Sequence, residues 1–148
     1  MDIYKLNNKR LNSVESVNFE SEKEIQSIVE HNSKELFDLT FVKSEVVCES
    51  FRFDSLCWDE ENNSFVIIEY KNSKSSSVID QGYSYLSTML NNKSDFILEY
   101  IENMDQSLKK ENVDWSQSRV IFVSPSFTEY QKNSVNFRDV PFELWEIQ

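Results

Sequence analysis

Asp54, Glu69, Lys71 and Gln81 combine residue types and spacings able to do chemistry. Ile67-Ile68-Glu69-Tyr70-Lys71 reads as a hydrophobic strand that ends in charge. Strand side chains alternate faces, so Glu69 and Lys71 point one way and Ile68 and Tyr70 the other. If Arg52–Trp58 pairs with Ser64–Lys71 as a hairpin, Asp54 sits laterally beside Glu69. Two carboxylates so placed make a hard oxygen site suited to Mg²⁺, or to Mn²⁺. Glu30, upstream in a helix, supplies a third carboxylate if that helix crosses the sheet there.

Such a site suits hydrolysis of a phosphodiester. The ion holds the phosphate, lowers the pKa of a bound water and offsets charge on the phosphoryl oxygens. Lys71 positions the attacking water or stabilises the transition state as a mobile point charge. Gln81 orients Lys71 or holds a backbone phosphate. Lys74 and Ser75–Ser77, in between, are candidate phosphate contacts that set register without reading bases.

The elements that must position these residues are legible in outline. MDIYKLNNKRL suggests a short strand and a turn. Ser21-Glu22-Lys23-Glu24 has the S-x-x-E form of a capping box, and Ile25, Ile28, Val29 and Leu36 follow at helical spacing, predicting one helix over Glu22–Leu39. Strands are expected at Phe41–Phe51, Arg52–Trp58 and Ser64–Lys71, with a polar turn at 59–63 and a loop over Asn72–Ser77. A second helix spans Val78–Leu90, with a stripe of Ile79, Tyr83, Leu86 and Leu90 and with Val78, Gly82 and Met89 beside it. A further helix is expected over 96–112, a buried strand at Val120–Val123, a short helix near 127–134 and a closing strand at Phe142–Ile147. The order predicts a single α/β domain over residues 1–148, a mixed central sheet flanked by helices.

Composition narrows the function. The chain carries 15 Lys+Arg against 26 Asp+Glu, a formal net charge of −11, and 14% aromatic residues. That balance excludes a mainly electrostatic, non-specific DNA coat but not an enzyme that meets nucleic acid through a metal-loaded acidic site. Residues 20–70 hold four basic and thirteen acidic side chains, whereas 71–94 hold Lys71, Lys74 and Lys93 against Asp80 alone. One Gly and two Pro leave no Gly-rich nucleotide-binding loop. Cys48, Cys57 and His31 form neither a disulfide framework nor a zinc site without carboxylates. No apolar run reaches the ~18 residues of a membrane span, and the opening lacks the pattern of a signal peptide, so a cytoplasmic protein is expected.

Asp54 followed by Glu69-Tyr70-Lys71 resembles the D…(D/E)-x-K signature of the PD-(D/E)xK nuclease superfamily, the restriction-endonuclease-like fold. Its α-β-β-β-α-β core is the order read above. Glu24-Ile25-Gln26 with Glu30, Arg52-Phe53-Asp54-Ser55-Leu56, Val66–Lys71, Val78–Gly82 with Tyr85-Leu86, and Glu143-Leu144-Trp145 are similar to a prokaryotic family of this superfamily labelled a predicted transport protein. Nothing in the residues suggests transport. The resemblance implies a Mg²⁺-dependent nuclease, with DNA as the expected polymer. In it, Asp54 and Glu69 hold metal, Lys71 is the catalytic lysine, Glu30 is the helix acid and Gln81 is the polar residue of the second helix. A C-terminal or separate partner domain and a homodimer are compatible with it. The alternative is a catalytically silent module of the same fold that binds a protein or nucleic acid. Ser50-Phe51 before Arg52, and Cys57, stand where that family commonly has glycine.

Overall fold

A computed structural model describes residues 1–72 and 77–148; Lys74, Ser75 and Ser76 of the candidate phosphate loop lie outside them. A hairpin of β1 (Ile3–Asn7) and β2 (Arg10–Val14) precedes helices α1 (Glu22–His31) and α2 (Ser33–Phe37). Then come β3 (Thr40–Cys48), β4 (Phe51–Asp59) and β5 (Ser64–Tyr70), helices α3 (Ile79–Asn91) and α4 (Lys93–Met104), β6 (Arg119–Ser124), α5 (Glu129–Val135) and β7 (Phe142–Glu146). The main sheet has the order β3-β4-β5-β6-β7, separate from the β1-β2 hairpin. Neighbours are antiparallel from β3 to β5 and parallel from β5 to β7. The fold is therefore α/β, with a mixed five-stranded sheet between helical layers.

Each sheet face buries its own core. Ile25 and Val29 of α1 pack with Cys57, Val66, Ile68, Tyr70, Ile121 and Val123 on one face. Phe53, Leu56, Trp58, Phe65, Ile67 and Phe122 meet α3 and α4 on the other. β5 is buried along its whole length, which explains its β-branched composition and lack of polar alternation before Glu69. Cys48 and Cys57 are free and buried, as small hydrophobic fillers.

Several boundaries differ from the sequence reading. The single helix expected over Glu22–Leu39 breaks at Asn32, whose side chain donates to the Ile28 carbonyl at 2.7 Å while its backbone leaves helical geometry. The capping box is half formed. Ser21 Oγ accepts the Glu24 amide at 3.2 Å, but the Glu24 carboxylate accepts the Glu20 amide instead. The helix expected over 96–112 starts and ends earlier, at Lys93 and Met104, stopped by Asp105 in the left-handed region at φ 51°. The opening is a complete hairpin rather than one strand.

The buried face of α3 is also rotated from the expected stripe. Gly82, Tyr85, Leu86 and Met89 are buried, while Tyr83 and Leu90 are exposed. Gly82 decides this orientation: a Cβ there would lie 2.5 Å from Phe142 Cε1. Only a glycine lets α3 rest so closely on β7.

Candidate active site

The site forms where the β4–β5 ladder opens. Regular pairing ends at Ser55–Ile68, one residue short of Asp54 and Glu69. Phe53 and Leu56 both face the α3 side while Ser55 faces the other, so β4 does not alternate through Asp54. Opposite, Glu45 of β3 has φ 56°, a left-handed conformation inside a strand. That geometry is costly for a non-glycine residue and marks a local kink. The kink frees the Asp54 side chain to cap β5, where its Oδ2 accepts the Tyr70 amide at 3.0 Å. On the reverse face Ser55 Oγ and Tyr70 OH lie 2.8 Å apart and anchor the strands together.

Glu69 reaches toward α3. Its Oε1 accepts from Tyr85 OH at 3.3 Å and from Gln81 Nε2 at 3.4 Å, and Gln81 Nε2 also donates to Tyr85 OH at 3.0 Å. Its Oε2 is buried without a hydrogen-bond donor among the described residues, as is Gln81 Oε1. Burial, reinforced by the neighbouring Asp54 charge and opposed by Lys71, pushes the Glu69 carboxyl up to about 8. Burial likewise raises Asp54, partly offset by the Tyr70 amide. The two carboxyls lie within hydrogen-bonding reach, a contact that attracts only when one proton is shared.

Lys71 follows β5 directly, and its amide donates to the Val123 carbonyl at 2.8 Å, which fixes the chain where the side chain departs. Its charge favours ionised Glu69, opposing the effects of burial and of Asp54 on that carboxyl. The Asn72 amide in turn donates to Glu22 Oε1 at 2.9 Å, tying this strand end to the start of α1.

Glu30 lies one residue removed from the pair. Its Oε1 accepts from Gln26 Nε2 at 2.9 Å and from Ser44 Oγ at 2.8 Å. Gln26 Nε2 also donates to the Asp54 carbonyl at 3.0 Å. The helix acid is therefore linked to Asp54 through Gln26, and among the described residues no group of three His, Cys, Asp or Glu side chains converges as a metal cage. Of the three expected carboxylates, the structure brings Asp54 and Glu69 together and holds Glu30 against Gln26 and Ser44.

Gln26 and Tyr85 entered the sequence reading only through the family resemblance, with no place in the site. Gln26, a polar helix residue, is only 6% exposed. Tyr85 was signalled by its i,i+4 spacing from Gln81, which puts both side chains on one helix face.

The donor set fits a divalent cation. It offers two adjacent carboxylates, one with a buried, unpartnered oxygen, and hard oxygen donors without sulfur or imidazole. Mg²⁺ commonly uses only one or two protein carboxylates, taking its other ligands from water and substrate phosphate.

No family profile matches the chain. An uncharacterised protein of Haemophilus influenzae is 46% identical over 147 residues, which cover 99% of this chain and 49% of that protein. The chain thus spans about half the length of the curated relative it matches. Among solved structures, an EndoMS–dsDNA2 complex superposes with a TM-score of 0.50 at 18% identity, over 90% of this chain and 47% of that one. A repair endonuclease from Pyrococcus abyssi gives a TM-score of 0.50 at 16% identity, over 99% of this chain and 65% of that one. The fold is restriction-endonuclease-like. The strand order and these superpositions agree on it, and neither structure is described as a transport protein.

Proposed function

We propose that the chain is a divalent-metal-dependent phosphodiester hydrolase acting on DNA, with Asp54 and Glu69 as the metal-holding acids. The observation that supports this reading is buried Glu69 beside Asp54, with an Oε2 that accepts from no donor among the described residues and a carboxyl pair that repels once its shared proton is lost. Bound there, Mg²⁺ supplies charge neutralisation at the scissile phosphate and a more acidic water.

The chain's own residues do the rest. Asp54 is held rigid from two sides, its carboxylate by the Tyr70 amide and its carbonyl by Gln26. Tyr85 and Gln81 orient Glu69 through Oε1, leaving Oε2 for the cation. Lys71 orients the attacking water and stabilises negative charge at the phosphoryl oxygens. The free acceptor of Gln81 is available to the Lys71 ammonium or to that water. Glu30 acts through Gln26 as a positioning residue. A cytoplasmic setting fits the two buried free thiols, and none of the described helices is long and apolar enough to cross a membrane. A partner domain and pairing of two copies complete the proposal for cutting both strands.

The test is cleavage of plasmid, linear and single-stranded DNA and of RNA, in Mg²⁺, Mn²⁺ or chelator, by wild type and Lys71→Ala. Metal-dependent cutting of DNA that Lys71→Ala abolishes supports the reading. Equal behaviour of the two proteins on every substrate contradicts it and favours the catalytically silent module.

A further inference from the structure

The β1–β2 hairpin stands apart from both cores. Ile3, Tyr4, Leu6, Leu11 and Val14 are each more than half exposed. A two-stranded hairpin with both faces in water is marginal by itself, so its sequence must serve something other than packing. Within Ile3–Val14 the charged residues are Lys5, Lys9 and Arg10, with no acid, in a chain whose net charge is −11.

The register segregates the two faces. Ile3 pairs with Val14, Lys5 with Asn12 and Asn7 with Arg10 on one face, while Tyr4–Ser13 and Leu6–Leu11 occupy the other. Toward the tip the first face is wholly basic and amide-bearing: Lys5, Asn7, Arg10 and Asn12. Asn8 and Lys9 close the turn with φ of 48° and 66°. This is the type I′ geometry, and a lysine there costs about 1 kcal/mol relative to glycine. The turn thus carries a cation at a position that backbone preference would give to glycine.

The hairpin is rooted at the catalytic end of the sheet. The segment that follows it, Ser16–Phe19, lines a cleft of about 370 Å³ together with Asn72, Pro125 and Ile147. Asn72 is the residue after Lys71, and all three lie just beyond the carboxyl ends of the parallel strands β5, β6 and β7. A basic arm therefore springs from the edge where Lys71 emerges, beside a site whose own acids repel phosphate.

We infer that this hairpin is the duplex-DNA docking arm of the protein, with Lys5, Asn7, Arg10, Asn12 and the Lys9 turn seated in the major groove. The inference rests on the nuclease reading for its choice of polymer. A two-stranded ribbon matches the width of the B-form major groove, whereas the A-form groove is too narrow to admit it. Arg10 and the two asparagines carry the donor geometries that address guanine and adenine edges, and the lysines address phosphate.

Binding is measured by fluorescence anisotropy in chelator, so that cleavage plays no part. The probe is a fluorescein-labelled DNA duplex of about two helical turns. Wild type, Glu69→Ala and the triple variant Lys5→Gln/Lys9→Gln/Arg10→Gln are compared between about 50 and 200 mM salt. The expected result is at least about tenfold weaker binding by the triple variant, with a salt slope smaller by up to about three for three lost contacts. Glu69→Ala should bind at least as tightly as wild type. Because the altered side chains are exposed, the variant keeps its melting temperature, and circular dichroism verifies this.

Equal affinity and slope in wild type and triple variant overturn the inference, as does an absence of duplex binding by wild type. A wild-type dimer that Leu6→Asn/Leu11→Asn dissociates, with duplex binding unchanged in the triple variant, overturns it in favour of a second copy on the hairpin. Hairpin-dependent binding by a wild type that never cleaves would sink the nuclease reading while leaving the arm intact.

Discussion

Asp54 and Tyr70 are joined across β4 and β5 by a bond that stands in for a rung of the ladder. The Asp54 carboxylate accepts the Tyr70 amide at 3.0 Å, just past the Ser55–Ile68 pair where regular pairing stops. The sheet thus fixes one oxygen of the Asp54 carboxylate, and Glu69, beside Tyr70, is delivered to it by the same strand.

The first prediction concerns pH. Glu69 is raised from 4.5 to about 8 by burial and by Asp54. A carboxyl with a raised folded pKa contributes most below its unfolded pKa, and that contribution fades as pH climbs toward about 8. Urea denaturation of the metal-free protein should show stability falling with pH over this window, by up to about 1.4 kcal/mol per pH unit. Glu69→Gln should flatten the slope, and saturating Mg²⁺ should flatten it in wild type.

Gln26→Ala removes the donor shared by Glu30, Ser44 and the Asp54 carbonyl. Chemical denaturation should show a loss of about 1–3 kcal/mol, the usual cost of stranding buried polar partners. Cleavage should fall mainly through kcat, since Asp54 loses its rear support while the substrate surface is untouched.

Tyr85→Phe deletes the hydroxyl on Glu69 and keeps the ring, which packs edge-on against Phe53 at 4.7 Å and Phe51 at 5.7 Å. Stability should change by no more than about 1 kcal/mol. Activity should drop about tenfold, the equivalent of one hydrogen bond of roughly 1.4 kcal/mol at the proposed metal-holding acid.

Gly82→Ala should destabilise by about 1–3 kcal/mol in thermal melts, although alanine favours helices by about 1 kcal/mol. The new Cβ meets the Phe142 ring at 2.5 Å, and that ring is confined by Tyr83 at 4.8 Å and Phe122 at 6.1 Å. Lifting α3 also withdraws Gln81 and Tyr85 from Glu69, so activity should fall with stability.

Arg119 provides a contrasting case. It bridges Asp59 at 2.8 Å and Glu143 at 2.7 Å, starting β6 at the end of the sheet remote from Lys71. Arg119→Met should cost about 3 kcal/mol by leaving nearly buried Asp59 without its cation, yet preserve the specific activity of the folded fraction.

Much of this was legible in the sequence. The strand run ending Glu69-Tyr70-Lys71 and the Asp54 hairpin were readable because a β-branched run bounded by polar sequence and a polar turn are local signals. What escaped depends on tertiary contact. Tyr83 outcompeted Tyr85 for the α3 stripe, because only the Gly82–Phe142 approach decides which side of the helix is inward. Gln26 carries no local sign of burial. Asp59 read as part of a solvated turn, since its partner Arg119 lies 60 residues away. The basic hairpin was masked by an acidic whole-chain balance.

Calorimetric titration of Mn²⁺ into wild type and Glu69→Gln at neutral pH, in buffers of differing ionisation enthalpy, decides whether Asp54 and Glu69 hold a metal ion. Metal must displace the proton that the Asp54–Glu69 pair holds below about 8. One ion bound per chain with release of close to one proton, both lost in Glu69→Gln, is the predicted result. Binding of the same strength and the same proton release in both proteins, or no uptake by wild type, would contradict a metal site at Asp54 and Glu69.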